Sequence, residues 1–227
     1  YFLLLEVMDR TLRNKLRAKR ITDGEVIGAF PGESILRYRR YNKIISDMSI
    51  QYLAKSLSPY LKPNQTNIIN FISTESKDGK SYISELLTEY WSTHGFKTKK
   101  LTYDEDFNSS DKAYIMAQSI KDLYTAVDKE DILIIEYPAL KENSIPPALL
   151  QESSVNLIIA NSNRVWKDTD QASYEDIVKN TGSDTPLFIY LNKVSRDVLE
   201  EFVGQLPPYT KVRNLIYRFS QFGLTGE

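Results

Sequence analysis

The chain of 227 residues contains no cysteine, which excludes a disulfide framework and any thiolate metal site and fits a reducing compartment. Its single histidine, His94, excludes a multi-histidine metal site and argues against Ser-His catalysis. His94 precedes Gly95 after a helical run, the usual place for a C-terminal helix residue ahead of a glycine cap. Neither sign of charge dominates. With 29 Lys and Arg against 30 Asp and Glu, no global field selects nucleic acid as a partner. The apolar stretch Tyr1–Leu5 is far shorter than the roughly 20 residues that span a bilayer. No internal repeat and no low-complexity tract interrupts the chain.

What is present is a chain able to bury a sizeable core, 41% of it hydrophobic. Its length permits one large domain, or one domain with an appendage. The first residue is Tyr, so a fragment of a longer protein is expected. Tyr1–Leu5 is followed by Arg10, Arg13, Lys15, Arg17, Lys19 and Arg20. Two readings stand side by side. In one, Tyr1–Leu5 ends a membrane-spanning helix and the basic cluster marks the cytosolic side. In the other, residues 1–22 form a helix with a solvated basic face.

Periodicity then divides the chain. Val26–Phe30 is a short extended segment stopped by Pro31-Gly32, and a long helical pattern runs from Glu33 to Leu57. Strands are expected at Asn67–Ser73, Thr98–Tyr103, Ile132–Tyr137, Val155–Ala160 and Leu187–Leu191. Between and after them come helices at Ser81–Thr93, Asp111–Val127, up to about Glu152, around Tyr174–Asn180, and at Arg196–Val203. This alternation implies an α/β fold with a mainly parallel sheet and helices on both faces. The runs Ile132–Ile135 and Val155–Ile159 suit strands covered on both sides.

The chemistry sits at the ends of three of these strands, where α/β sheets place their ligands. After the first comes Ser76-Lys77-Asp78-Gly79-Lys80-Ser81-Tyr82, a polar turn running into a helix. That order is what a phosphate-binding loop needs, with backbone N–H groups and a helix N-terminus facing the anion. Lys80 would reach the β/γ-phosphates, and the Ser81 hydroxyl would bind Mg²⁺. Thr74 stands where the standard pattern has its first glycine. After the second strand comes Asp104-Glu105-Asp106, and the third runs directly into Glu136. A triphosphate needs a lysine, backbone donors and a metal, and the metal needs carboxylates nearby. Glu136 occupies the place of a Walker B acid; Asp104 or Asp106 is positioned to polarise water, hold Mg²⁺ through water, or accept a proton.

The stretches Ile72–Ser81, Thr102–Asp106 and Ile132–Pro138 together resemble the P-loop set of bacterial tyrosine kinases, relatives of the MinD/ParA ATPases. Val26–Pro31 after a basic helix and Leu187–Val194 resemble further segments of that family, so the resemblance covers nearly the whole chain. It implies a P-loop fold preceded by N-terminal helices, with a membrane-proximal basic helix and linker at 1–32 and the kinase-like domain at 33–227. It also implies ATP and Mg²⁺ as cofactors. Lys80 would bind phosphate, Ser81, Asp104 and Glu136 the metal, and Asp104 and Asp106 would carry the catalytic acid-base role. Asn192 would lie near the adenine. The family's proteins sit on the cytoplasmic face of the bacterial inner membrane. They control capsular or exopolysaccharide chain length with the polymerase and export machinery, and they self-associate in rings. Here Arg37 and Arg40 have the spacing of the family's assembly helix, but Glu33 lies one residue too far upstream.

Four features depart from the family pattern. Ser76 and Lys77 replace Pro-Gly in the loop, Glu136 replaces Asp, Phe107-Asn108 stands where an Arg is expected, and the tail after Asn192 holds only Tyr209 and Tyr217 in place of a tyrosine cluster. Two functions are therefore open: an ATP-dependent kinase-like domain, or a degenerate P-loop scaffold of the co-polymerase assembly. A MinD/ParA-type partitioning ATPase is a third, against which the Tyr1–Arg20 region argues.

Overall fold

The structure, a computed structural model, describes residues 9–33 and 40–209. Its centre is a six-stranded parallel sheet in the order β1-β6-β5-β2-β4-β3. The strands are β1 (Glu25–Pro31), β2 (Asn67–Ile72), β3 (Thr98–Thr102), β4 (Ile132–Glu136), β5 (Val155–Asn161) and β6 (Leu187–Val194). The helices are α1 (Lys15–Thr22), α2 (Asn42–Leu57), α3 (Lys80–Thr93), α4 (Lys112–Ile115), α5 (Pro147–Gln151), α6 (Asp168–Thr181) and α7 (Arg196–Val203).

Strand alternation sends neighbouring residues to opposite faces. Ile69, Phe71, Ile132 and Ile134 pack with Leu53 and Leu57 of α2 and with Ile83, Leu87 and Trp91 of α3. Ile68, Ile72, Leu133 and Ile135 share the other core with Leu149 of α5, Tyr174 and Ile177 of α6, and Leu199 of α7. Both faces are therefore covered, which is why β4 reads as an unbroken apolar run.

From β2 the chain crosses to β3 through α3, on one face, and later leaves β4 for β5 through α5, on the other. The crossovers part beside β2, so the loop after β2 lies at a topological switch point.

Three expectations need correction. The helix expected at Asp111–Val127 is a single turn, α4, followed by short 3₁₀ turns at Ile120–Asp122 and Val127–Lys129. Polar side chains end it. The Asp122 carboxylate accepts from the Gln118 and Ser119 amides, and Glu152 accepts from the Ile120 amide and the Ser119 hydroxyl. Of the helix expected at 1–22, residues 1–8 lie outside the described residues, and within 9–22 helix is confined to α1, because Asn14 caps it by accepting from the Arg17 amide and Thr11 bridges to Val165. The helix around Tyr174 starts earlier, at Asp168, with the Asp170 carboxylate accepting from the Lys167 amide. Of the pattern expected at 33–57, α2 covers 42–57; residues 34–39, including Arg37, lie outside the described residues.

Residues 25–31, placed by sequence in the 1–32 segment, are hydrogen-bonded into the sheet beside β6. The Tyr190 hydroxyl adds a tie across this pair by donating to the Ala29 carbonyl at 3.0 Å, fully buried. Tyr190→Phe is expected to lower unfolding free energy by about 1 kcal/mol, measured by urea denaturation. An unchanged midpoint would show that this bond contributes nothing to holding the edge strand.

Candidate nucleotide site

β2 ends at Ile72, and the chain turns through Ser73–Gly79 into α3. Two positions in this loop take left-handed backbone, Lys77 at φ 69° and Gly79 at φ 102°. Only glycine fits at 79. A Cβ there would stand 2.0 Å from the Asn192 Nδ2 atom. Lys77 adopts its left-handed turn without being glycine, at a cost of roughly 1–2 kcal/mol.

Lys80 opens α3 and points inward. It is 6% exposed, and its Nζ donates to the Ser73 hydroxyl at 2.7 Å. Burial pulls its pKa below the ordinary lysine value, and the charges of Glu136 and Asp78 partly restore it. Glu136 ends β4, 2% exposed, opposite Phe71 of β2 and Thr102 of β3. The Ser81 hydroxyl donates to Glu136 Oε1, and the Ser84 hydroxyl donates to Oε2 at 3.3 Å. The lysine, hydroxyl and acid expected from sequence to act together are therefore neighbours.

The acids after β3 are arranged differently from one another. Asp104 is exposed, in left-handed backbone, just beyond Tyr103, whose amide donates to the Glu136 carbonyl at 3.2 Å. Asp106 turns back on its own loop. One carboxylate oxygen accepts from the Thr102 amide at 2.9 Å, and the other lies 3.5 Å from Lys99 Nζ. Among the described residues, no group of three or more acids and histidines converges on a metal position. The donor set at Ser81 and Glu136, one hydroxyl and one carboxylate, nevertheless suits Mg²⁺, which keeps several waters and takes further oxygens from phosphates.

Ser76 and Lys77 are exposed on the loop, and Tyr82 is 55% exposed with its ring edge-on to Phe30, centroids 5.7 Å apart. Asp78 is buried, and Asn192 Nδ2 donates to its main-chain carbonyl at 2.7 Å. Asn192 thus lies against the loop from the end of β6.

Sequence reasoning did not single out Arg164. Its guanidinium, on the loop after β5, contacts Thr74, Asp78 and Asp170, all within 2% of full burial. Lys141 extends the cluster, lying 3.4 Å from Asp170 and bonded to Glu75. A basic residue at the carboxyl end of β5 was the one available signal.

No protein-family model matches this sequence, and no curated protein matches it. Solved structures do. The chain is similar to the kinase domain of the Escherichia coli tyrosine kinase ETK, with a TM-score of 0.60 and 12% identity over 82% of this chain and 95% of that one. It is also similar to the chimerical protein CapA2B2, with a TM-score of 0.53 and 14% identity over 80% of this chain and all of that one. At such identities the likeness is one of fold, and the fold expected from the sequence, an α/β fold with a mainly parallel sheet and helices on both faces, is the one found.

Proposed function

We propose that this chain is a tyrosine-kinase-like domain that binds ATP with Mg²⁺ at the loop between β2 and α3. The observation that carries the reading is the contact of the Ser81 hydroxyl with the buried Glu136 carboxylate, one residue from the buried Lys80 amine. A phosphate-bridging metal requires that hydroxyl and acid together, and a triphosphate requires the amine beside them. Lys80 would hold the β/γ-phosphates, Ser81 and Glu136 would hold Mg²⁺ with Asp104 reaching it through water, and bound metal would neutralise phosphate charge. Asp104, exposed at the neighbouring strand end, is the better placed of the two loop acids to accept a proton; Asp106 is engaged with Thr102. Asn192, with Ser76, Lys77, Asp78, Gly79 and Tyr82, completes the nucleotide's surroundings.

In this reading the domain belongs to the cytoplasmic side of a bacterial inner-membrane protein regulating capsular or exopolysaccharide chain length and export. It self-associates in a ring through the segment that includes Arg37 and Arg40 and works with the polymerase and export machinery. Attachment to the membrane is part of the same reading; among the described residues, no helix is long and apolar enough to cross a bilayer.

Calorimetric titration of dialysed protein tests the site. ATP is expected to bind in the presence of Mg²⁺, and Glu136→Gln is expected to bind ATP while losing roughly tenfold of the gain from Mg²⁺. Absence of binding at millimolar MgATP would remove the proposal. A second reading, a P-loop scaffold without turnover, is favoured by Asp106 being tied into its own turn. MgATP binding without hydrolysis or phosphotyrosine above the level of Lys80→Met would decide for the scaffold.

A further inference from the structure

Arg164 divides its guanidinium among three buried partners. Nη2 donates to the Thr74 hydroxyl at 2.8 Å and to Asp78 Oδ2 at 3.2 Å, Nε donates to Asp78 Oδ1 at 3.3 Å, and Nη1 donates to Asp170 Oδ2 at 2.8 Å. Thr74 and Asp78 belong to the loop, whereas Asp170 belongs to α6. The planar fork thereby fastens the loop to a rigid helix across the end of the sheet.

Asp78 is held twice, by Arg164 at its carboxylate and by Asn192 at its main-chain carbonyl. In a trans peptide the next N–H points opposite to the carbonyl. With the Asp78 carbonyl turned to Asn192, the Gly79 N–H is turned away from it. Oriented backbone N–H groups are how such a loop meets phosphate. This loop must keep that orientation with Thr74 in place of its first glycine and with Lys77 in left-handed backbone. Lys77 is strained in that conformation, and a loop without further restraint would relieve the strain by taking another shape.

We infer that Arg164, acting through Thr74 and Asp78, is a positioning residue that holds the loop's N–H groups toward the β- and γ-phosphates of the nucleotide. The inference rests on the ATP-binding reading above and adds to it the residue that sets the cradle's shape. Its contact with Asp170 anchors the guanidinium. Only the contacts with Thr74 and Asp78 reach the loop.

Asp78→Asn and Thr74→Val, made separately in the full chain, each disrupt one of the two loop contacts, the first by removing the carboxylate's charge, while leaving Arg164 bound to Asp170. Each is expected to raise the Kd for MgATP and for magnesium pyrophosphate about tenfold, the scale of a lost charge-assisted hydrogen bond. Adenosine affinity is expected to stay unchanged, and the melting temperature to stay within about 3 °C. In amide NMR of the unaltered chain, the Gly79 signal is expected to shift on adding pyrophosphate, and that shift is expected to shrink in both variants.

Unaltered MgATP affinity in both variants would overturn the positioning role and leave the nucleotide site standing. Equal weakening of adenosine and MgATP, with a fall in melting temperature, would also overturn it, because the contacts would then be merely structural. If the unaltered chain binds neither MgATP nor pyrophosphate, the ATP-binding reading itself fails and the inference fails with it.

Discussion

Arg164→Ala is expected to destabilise the domain by about 3–5 kcal/mol at neutral pH, because it strands two buried carboxylates. For a chain of this size that is a fall in melting temperature of roughly 10 °C. Asp170 is fully buried and Asp78 is 2% exposed, so neither carboxylate has water to replace the guanidinium. The Lys141 amine remains 3.4 Å from Asp170 but is shared with Glu75. The pH dependence separates this mechanism from simple loss of packing. Burial pushes the Asp170 carboxyl upward. Hydrogen bonds from Arg164, Thr74 and the Lys167 amide, with the guanidinium's charge, outweigh that and hold it at about 2, below the ordinary 3.8. A depressed carboxyl contributes stability that is present above 3.8 and is lost as pH falls toward about 2.

Asp78 has the opposite sign. Burial dominates and raises its pKa, although Arg164 opposes the rise. Its ionised form is therefore a standing cost at neutral pH, relieved as the group protonates in acid. Without Arg164, both carboxyls rise. The deficit of Arg164→Ala is thus expected to be largest near neutrality and to narrow as pH falls toward 3.8 and below. Urea denaturation of both proteins across that range measures it. A deficit independent of pH would show that the arginine acts through its aliphatic stem alone.

Lys80→Met is expected to weaken MgATP binding on the order of a hundredfold while leaving the fold intact. The side chain is nearly buried, and burial already disfavours its charge. Methionine fills a similar volume without that desolvation. Ser73, which loses the lysine as a donor, still donates its own hydroxyl to the Glu75 carbonyl at 2.6 Å. Stability is therefore expected to hold within about 1 kcal/mol or to rise. Calorimetric titration with MgATP and a thermal melt on the same sample check both parts. Retained affinity would place the nucleotide elsewhere. A collapse in melting temperature would mean that the amine serves the core, not a ligand.

Local patterns in the sequence were enough to place most of the sheet and part of the site. The apolar run of β4, and that of β5 interrupted only by Asn156, mark strands buried on both faces, and their neighbours locate α3 and α7 closely. Lys80, Ser81 and Glu136 were legible because strand, loop and helix succeed one another directly, so short spacing dictates geometry. The stretch Asp111–Val127 was misread because its helical periodicity is outweighed by contacts with Asp122 and with Glu152, which arrives from a distant part of the chain.

Pairing of side chains far apart in sequence was beyond such patterns. Arg164 is 90 residues from Thr74 and 86 from Asp78, and nothing in local spacing joins them. The same holds for Asn192 against Gly79 and for β1 beside β6. Nor did the paired spelling of Asp104 and Asp106 reveal that, of these two exposed acids, Asp106 caps its own turn. Periodicity and loop order follow from the backbone's own repeat, so the sequence by itself determined the parallel sheet and the neighbouring of Lys80, Ser81 and Glu136 at the ends of its strands. Which buried charge meets which depends on desolvation and on strand order, and those exist only once the sheet has closed around the loop.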